Sequence, residues 1–300
     1  MTTPTHFLVV APPYSSRSGG IMVLHELCTA LNQIGEQAGL LLITEGSQAA
    51  QNFKFGYSAD AQFHDPNGMH HDYFTGRSLQ EISDYTRNAV VIYPDIVQGN
   101  PLGASRYATY VLGFPKFEID SEFVISYSSS YISNPDCILY KPFVSEHMHN
   151  RGTVHWSQRS LCLTYIGKGQ EYADCHLVPN TLLVERDWPR DKQQLALLLR
   201  QCKYFYSWDC LSATNIDAVL CGAVPVLMQD KQLPRSVVDS LEMGALPPMT
   251  YEPGMDSRAT PPHVSAIDQT MDNMVGKLNA YSASWLDQVG EFVQHIKRRP

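Results

Sequence analysis

The stretch 204–228, YFYSWDCLSATNIDAVLCGAVPVLM, decides how this chain is read. Tyr204 to Ser207 is a short run of strand-forming residues, Trp208-Asp209 a polar turn carrying an acid, and Ser212 to Leu220 a helix with a small-residue start. Gly222 ends that helix, and Val224 to Met228 is a second apolar strand. Strand, turn, helix, strand, with the polar residues packed into the first turn, is the layout of an α/β ligand site. Ligands there lie at the carboxyl ends of strands and the amino ends of helices. Asp209 and Asp217, eight positions apart, bracket the helix start, with the N–H groups of Ala213, Thr214 and Asn215 between them.

Outward from that stretch the same alternation continues. Leu161 to Ile166 reads as a strand followed by the turn Gly167-Lys168-Gly169, Thr181 to Val184 as a strand, and Asp191 to Gln201 as an amphipathic helix. Residues 145–160 are polar and aperiodic, which predicts an interdomain linker. Before it, His6 to Val10 is an apolar run bounded by Pro12-Pro13, the pattern of a parallel strand buried on both faces. Tyr14 and the turn at Gly19-Gly20 lead into a helix whose apolar residues Ile21, Leu24, Leu27, Cys28, Leu31 and Ile34 recur at helical spacing up to Gly35. Leu40 to Thr44, Ala89 to Tyr93, Phe123 to Ser126 and Cys137 to Tyr140 are further strands, and Ala104 to Leu112 is read as helical. Residues 50–88 lack periodicity and hold His64, His70 and His71, read as loops and short helices facing a cleft. Leu278, Trp285, Val289, Phe292 and Ile296 mark a terminal helical stripe.

The predicted fold class is α/β with two Rossmann-like domains, 1–150 and 151–275, facing a cleft. Residues 276–300 form a terminal helix returning to the first domain. Composition agrees with a globular protein: 300 residues, 44% hydrophobic, 17% charged. A net charge of −8 argues against a phosphate polymer as the general partner. Seven cysteines without a C-x-x-C pair read as reduced thiols. No apolar run reaches the roughly 18 residues of a membrane span. The start, MTTPTHFLVV, is too short and polar-flanked for a signal peptide. Cytoplasmic location is the expectation.

A helix start for phosphate, with carboxylates for hydroxyls on either side, matches a nucleotide-sugar, whose diphosphate lies between two polyols. The same pattern also fits Asp209 as a mere helix-dipole charge and Asp217 as a solvent-facing residue. No D-x-D motif that would hold a divalent ion is present, so no metal and no cofactor is expected. There is also no G-x-S-x-G elbow for a nucleophile.

SWDCLSATNIDAVLCGAVPVL resembles the E-x7-E region of retaining GT-B glycosyltransferases of the family-4 type, and most closely a bacterial or phage subgroup of them. Aspartate stands here where that family has both glutamates. SGGIMVLHELCTALNQIG, YPDIVQGNPLGA, TYIGKG and VERDWPRDKQQLALLLRQCKYFYSWD resemble further segments of the subgroup in the same order. The resemblance implies a hexosyl- or pentosyltransferase that moves a sugar from a nucleotide-diphosphate-sugar to an acceptor hydroxyl with retention. Gly19, Gly20, Lys168, Arg186 and Ser212 to Asn215 would bind the donor. Asp217 would take the ribose, and Asp209, as the catalytic residue, would position the donor sugar. Tyr14, His64 and His70 would lie on the acceptor side. A glycan acceptor is favoured. Two alternatives stay open. One is a modified DNA base as acceptor, with Arg77, Arg87, Arg106, Lys116 and Arg151 as a basic stripe. The other is a non-catalytic sugar-nucleotide-binding module.

Overall fold

A computed structural model describes residues 5–46, 48, 51–56, 84–169, 175, 177–228, 236, 240–243, 250–251 and 267–299. The chain divides into two compact units, Met1–Pro142 with Tyr281–Pro300, and Phe143–Ala280. Both are α/β, each with its own mainly parallel sheet.

In the first unit the strands are β1 (His6–Ala11), β2 (Gln37–Glu45), β3 (Lys54–Gly56), β4 (Ala89–Pro94), β5 (Arg106–Val111), β6 (Phe123–Ser126) and β7 (Cys137–Ile138). They lie in the order β3-β2-β1-β4-β5-β6-β7, parallel throughout except for the β3 edge, which runs against β2. Phe7 to Ala11 and Val91 to Tyr93 are wholly buried, which is why these strands read as unbroken apolar runs. Helix α1 (Gly19–Gln33) carries the chain from β1 to β2. It ends in a Schellman motif: Gly35, at φ +90, donates to Asn32, and Glu36 donates to the carbonyl of Leu31.

The helix expected over 104–112 is instead β5. RYATYV alternates aromatic and β-branched residues, is bounded by Gly103 at φ +62, and pairs in parallel with both β4 and β6. Two flanking strands supply backbone partners that outweigh the weak helical spacing of its aromatics.

Two later helices are α4 (Ile267–Ala283) and α5 (Trp285–Arg298), and α5 belongs to the first unit. Its stripe Trp285, Val289, Phe292, Val293 and Ile296 is buried. Phe292 packs its ring 5.9 Å from Phe7 and 5.7 Å from Phe123. Burying one such aromatic contributes about 1.5–3 kcal/mol. Polar contacts fix the helix register: Lys297 Nζ lies 2.6 Å from Glu36, and Tyr140 N donates to Gln288 Oε1 at 2.9 Å.

The second unit has β8 (Leu161–Tyr165), β9 (Leu182–Val184), β10 (Cys202–Ser207), β11 (Val224–Leu227) and β12 (Thr250–Tyr251) in the order β12-β11-β10-β8-β9, all parallel. Helices α2 (Lys192–Gln201) and α3 (Ala213–Leu220) pack on each other. The segment 145–160, expected as a linker, is part of this unit. Arg159 is 4% exposed; its guanidinium donates to the carbonyls of Cys202 and Cys221 and to Asn150 Oδ1. Trp156 Nε1 donates to the Lys203 carbonyl. Its polar residues satisfy buried backbone carbonyls, so polarity there does not mean solvent. Among the described residues no helix is long and apolar enough to cross a membrane.

Candidate functional site

In an open α/β sheet, the crevice for ligands lies where neighbouring strands send their connections to opposite sides. In the second unit this switch point falls between β8 and β10, because β9 lies outside β8 while β11 and β12 lie beyond β10. The loops leaving the carboxyl ends of those two strands are Gly167-Lys168-Gly169 and Trp208-Asp209. The two motifs that stand far apart in sequence therefore meet at one place.

They meet closely. Lys168 N donates to Asp209 Oδ2 at 2.9 Å, and Gly169 N closes the turn onto the Ile166 carbonyl at 2.8 Å. Gly167 has φ +55, and a Cβ there would stand 2.6 Å from Asp209 Oδ2 and 2.7 Å from the Tyr165 ring. A Cβ on Gly169 would stand 2.7–2.8 Å from Trp208 Cβ, C and O. Both glycines are demanded by contact with the Trp208-Asp209 loop. The Lys168 side chain itself is exposed.

The loop from Asp209 into α3 is tied by its own backbone. The Asp209 carbonyl accepts from Ser207 Oγ at 3.1 Å, from Ser212 N at 3.0 Å and from Asn215 Nδ2 at 3.0 Å; Asn215 Nδ2 also donates to the Cys210 carbonyl. Asn215 is buried, and its Oδ1 has no hydrogen-bond partner among the described residues. Ser212 is the N-cap of α3: its Oγ accepts from Thr214 N at 3.2 Å, and its carbonyl accepts from Asn215 N at 3.0 Å. Of the N–H groups expected to face a phosphate, those of Thr214 and Asn215 are thus taken by Ser212. The Ala213 N–H, on an exposed residue, has no partner among the described residues.

The two acids differ from the solvent-facing alternative. Asp209 is 7% exposed and Asp217 2%. Asp217 sits on the second turn of α3 with Oδ2 2.6 Å from Lys192 Nζ. Burial pushes the Asp217 carboxyl up from its ordinary range, while the charge and hydrogen bond of Lys192 pull it down. Cys221, at the end of the same helix, is pushed up to about 12, first by burial and then by the Asp217 charge. Lys192 was not legible as a partner of Asp217. The available signal was a lysine just after the cap Asp191, an unfavourable place for a cation at a helix start. Arg186 is exposed, in the connection between β9 and α2.

In the first unit the switch point lies between β1 and β4, and Tyr14, Gly19 and Gly20 follow β1 there. Tyr14 meets His25 edge-on at 5.3 Å, and His25 Nε2 lies 3.0 Å from the Pro12 carbonyl, so Nε2 carries the proton. Ser18 caps α1, accepting from Ile21 N at 3.4 Å. A Cβ on Gly19 would meet none of the described residues within 4 Å; one on Gly20 would make ordinary contact with Leu112 at 3.5 Å. His64 and His70 lie outside the described residues, as does Arg77. Of the other basic residues, Arg106 donates to the Ile296 carbonyl and Arg87 pairs with Asp84 at 3.1 Å. Among the described residues no three His, Cys, Asp or Glu side chains cluster as a metal site requires.

No family model matches this chain, and no curated protein matches it. Similar solved structures include the glycotransferase of kitacinnamycin, 10% identical over 98% of this chain and 100% of that one, with a TM-score of 0.47. The glycosyltransferase SnogD from Streptomyces nogalater is 11% identical over 94% and 99%, TM-score 0.42. An alpha-glucosyltransferase in complex with UDP and a 13-mer DNA containing an HMU base is 8% identical over 99% and 100%, TM-score 0.42. Likeness at this distance transfers neither a substrate nor a residue role.

Proposed function

We propose that this chain is a GT-B-type glycosyltransferase that moves a hexosyl or pentosyl group from a nucleotide-diphosphate-sugar to an acceptor hydroxyl. The observation that carries the reading is the meeting of the Gly167-Lys168-Gly169 turn with the Trp208-Asp209 loop and the start of α3 at the switch point between β8 and β10. That crevice offers a diphosphate the exposed Lys168 ammonium and the N-terminal end of α3. Asp217, buried beside it on the same helix, is the acceptor for ribose hydroxyls. Asp209 holds the turn through Lys168 N and positions the donor sugar.

The reaction proceeds with retention and without a metal. The bond from the anomeric carbon to the diphosphate breaks, and the bond to the acceptor oxygen forms on the same face. The acceptor proton passes to the departing phosphate oxygen. Lys168 and the helix dipole stabilise the charge that develops there. Gly19 and Gly20 let ligand approach backbone in the first unit, where Tyr14 and the region of His64 and His70 serve the acceptor. A glycan is the preferred acceptor, since the net charge of −8 weighs against a phosphate polymer.

A thermal-shift screen across nucleoside diphosphates and their sugars tests this. A true donor at a hundredfold excess over its Kd stabilises the fold by about 2.7 kcal/mol. The reading fails if none of them raises Tm. Lys168→Ala removes only the ammonium, because the contact to Asp209 runs through the backbone N–H. It is expected to abolish transfer while leaving Tm unchanged without ligand. Binding without any turnover in the wild type would instead mark a non-catalytic module.

A further inference from the structure

Lys192 is not among the residues expected to bind the donor, yet its ammonium lies 2.6 Å from Asp217 Oδ2. It is the first residue of α2 after the cap Asp191, and only the packing of α2 on α3 brings it to Asp217. The Asp217 side chain is 3% exposed and that of Lys192 is 36% exposed, so the pair has one buried end and one wet end. A carboxylate buried this deeply is costly unless a cation faces it.

Among the described residues no other cation does so. The charged and titratable groups around Asp217 are Lys192 from α2 and Cys221 at the end of its own helix. Arg159 and Arg200 act on Cys221, and the raised Cys221 thiol is neutral near pH 7. Lys192 occupies Oδ2, and among the described residues nothing donates to Oδ1.

We propose that Lys192 is the positioning residue of the nucleotide site, holding Asp217 as an oriented anion whose Oδ1 is left to accept from a ribose hydroxyl. The ribose half rests on the reading of the site given above; the hold on Asp217 stands on the ion-pair geometry. The sign of the pH effect follows. Burial raises the Asp217 carboxyl and Lys192 opposes that rise, so without the ammonium the carboxyl climbs further. Lys192→Met then has too little carboxylate at low pH and recovers it as pH increases. In the wild type the ammonium counters that loss.

The test uses the full chain as wild type, Lys192→Met, Lys192→Arg and Asp217→Asn. The Asp217 carboxyl carbon is followed by NMR without ligand, its resonance identified by its loss in Asp217→Asn. UDP and dTDP affinities are measured by calorimetry across the same pH series. In Lys192→Met the carboxyl is expected to titrate at least about one pH unit above the wild type, a tenfold change in its proton affinity. UDP binding should weaken relative to the wild type as pH falls and approach the wild-type affinity as pH rises. Lys192→Arg should restore both. An unmoved carboxyl midpoint, or wild-type affinity at every pH in Lys192→Met, overturns the proposal. If the wild type binds neither nucleotide, the ribose role falls with the function reading, and the carboxyl midpoints alone decide whether Lys192 holds Asp217. Should Lys192→Met not fold, Lys192→Gln, which keeps a hydrogen bond without the charge, carries the same comparison.

Discussion

The starts of α1 and α3 are the same device built in two units. Each follows a strand at a switch point, each is capped by a serine, and each helix ends in a Schellman glycine, Gly35 or Gly222. They differ in the glycines that accompany them: Gly19 and Gly20 open α1 itself, whereas Gly167 and Gly169 lie in the neighbouring loop after β8, against the loop that leads into α3. Gly167 and Gly169 press against Trp208 and Asp209 so tightly that the fold itself requires them. Gly19 has no described neighbour where a side chain would stand. Packing among the described residues accounts for Gly167 and Gly169, while at Gly19 no described neighbour demands a glycine.

The largest effect should come from the crowded pair. Gly167→Ala combines a left-handed φ with overlap of Asp209 and Tyr165, for a loss of about 2–4 kcal/mol in urea unfolding. Gly169→Ala should be comparable, because the Trp208 backbone has little room to shift. A loss below about 1 kcal/mol in either would erase the contrast.

Asn215→Ala comes next. It removes the donor to the carbonyls of Asp209 and Cys210, and should cost about 1–3 kcal/mol and weaken nucleotide binding with it. A Tm change without any change in binding would separate Asn215 from the loop it holds.

The caps sharpen the comparison at smaller scale. Ser212→Ala should cost about 1 kcal/mol. Ser18→Ala should cost less, since its Oγ is 3.4 Å from the Ile21 N–H against 3.2 Å for Ser212 and Thr214. The reverse order in chemical denaturation would mean that α1 depends on its cap more than the distances imply.

The smallest effect carries the opposite sign. Gly19→Ala should stabilise the fold by about 0.5–1 kcal/mol through helix propensity while lowering transfer activity. A more stable Gly19→Ala protein with full activity would show that the open glycine serves no ligand.

Much of this was legible in the sequence, for a physical reason. β1, β6, α1 and the strand–turn–helix–strand around Asp209 are set by local pattern: buried runs, helical spacing and glycines at helix ends. β5 was missed because RYATYV is short and its strand state depends on β4 and β6. Segment 145–160 was missed because Arg159 hydrogen-bonds carbonyls far along the chain, which polarity alone does not reveal. The Lys192–Asp217 pair lay beyond pattern reading, since two helices must pack before the residues meet. The order of the motifs pointed to Lys168 and Asp209, but their contact, and the two glycines that permit it, became visible only with the fold.

The placement of α5 bears on how the chain is made. The core of the first unit contains Phe292 between Phe7 and Phe123, so its first 142 residues emerge from a ribosome without the helix that covers them. At about 5–20 residues per second, the wait for α5 is on the order of ten seconds. The second unit is continuous in sequence and can close first. During that interval the apolar ground beneath α5 is uncovered. Folding can therefore finish against the order of synthesis, with the later unit complete before the earlier one.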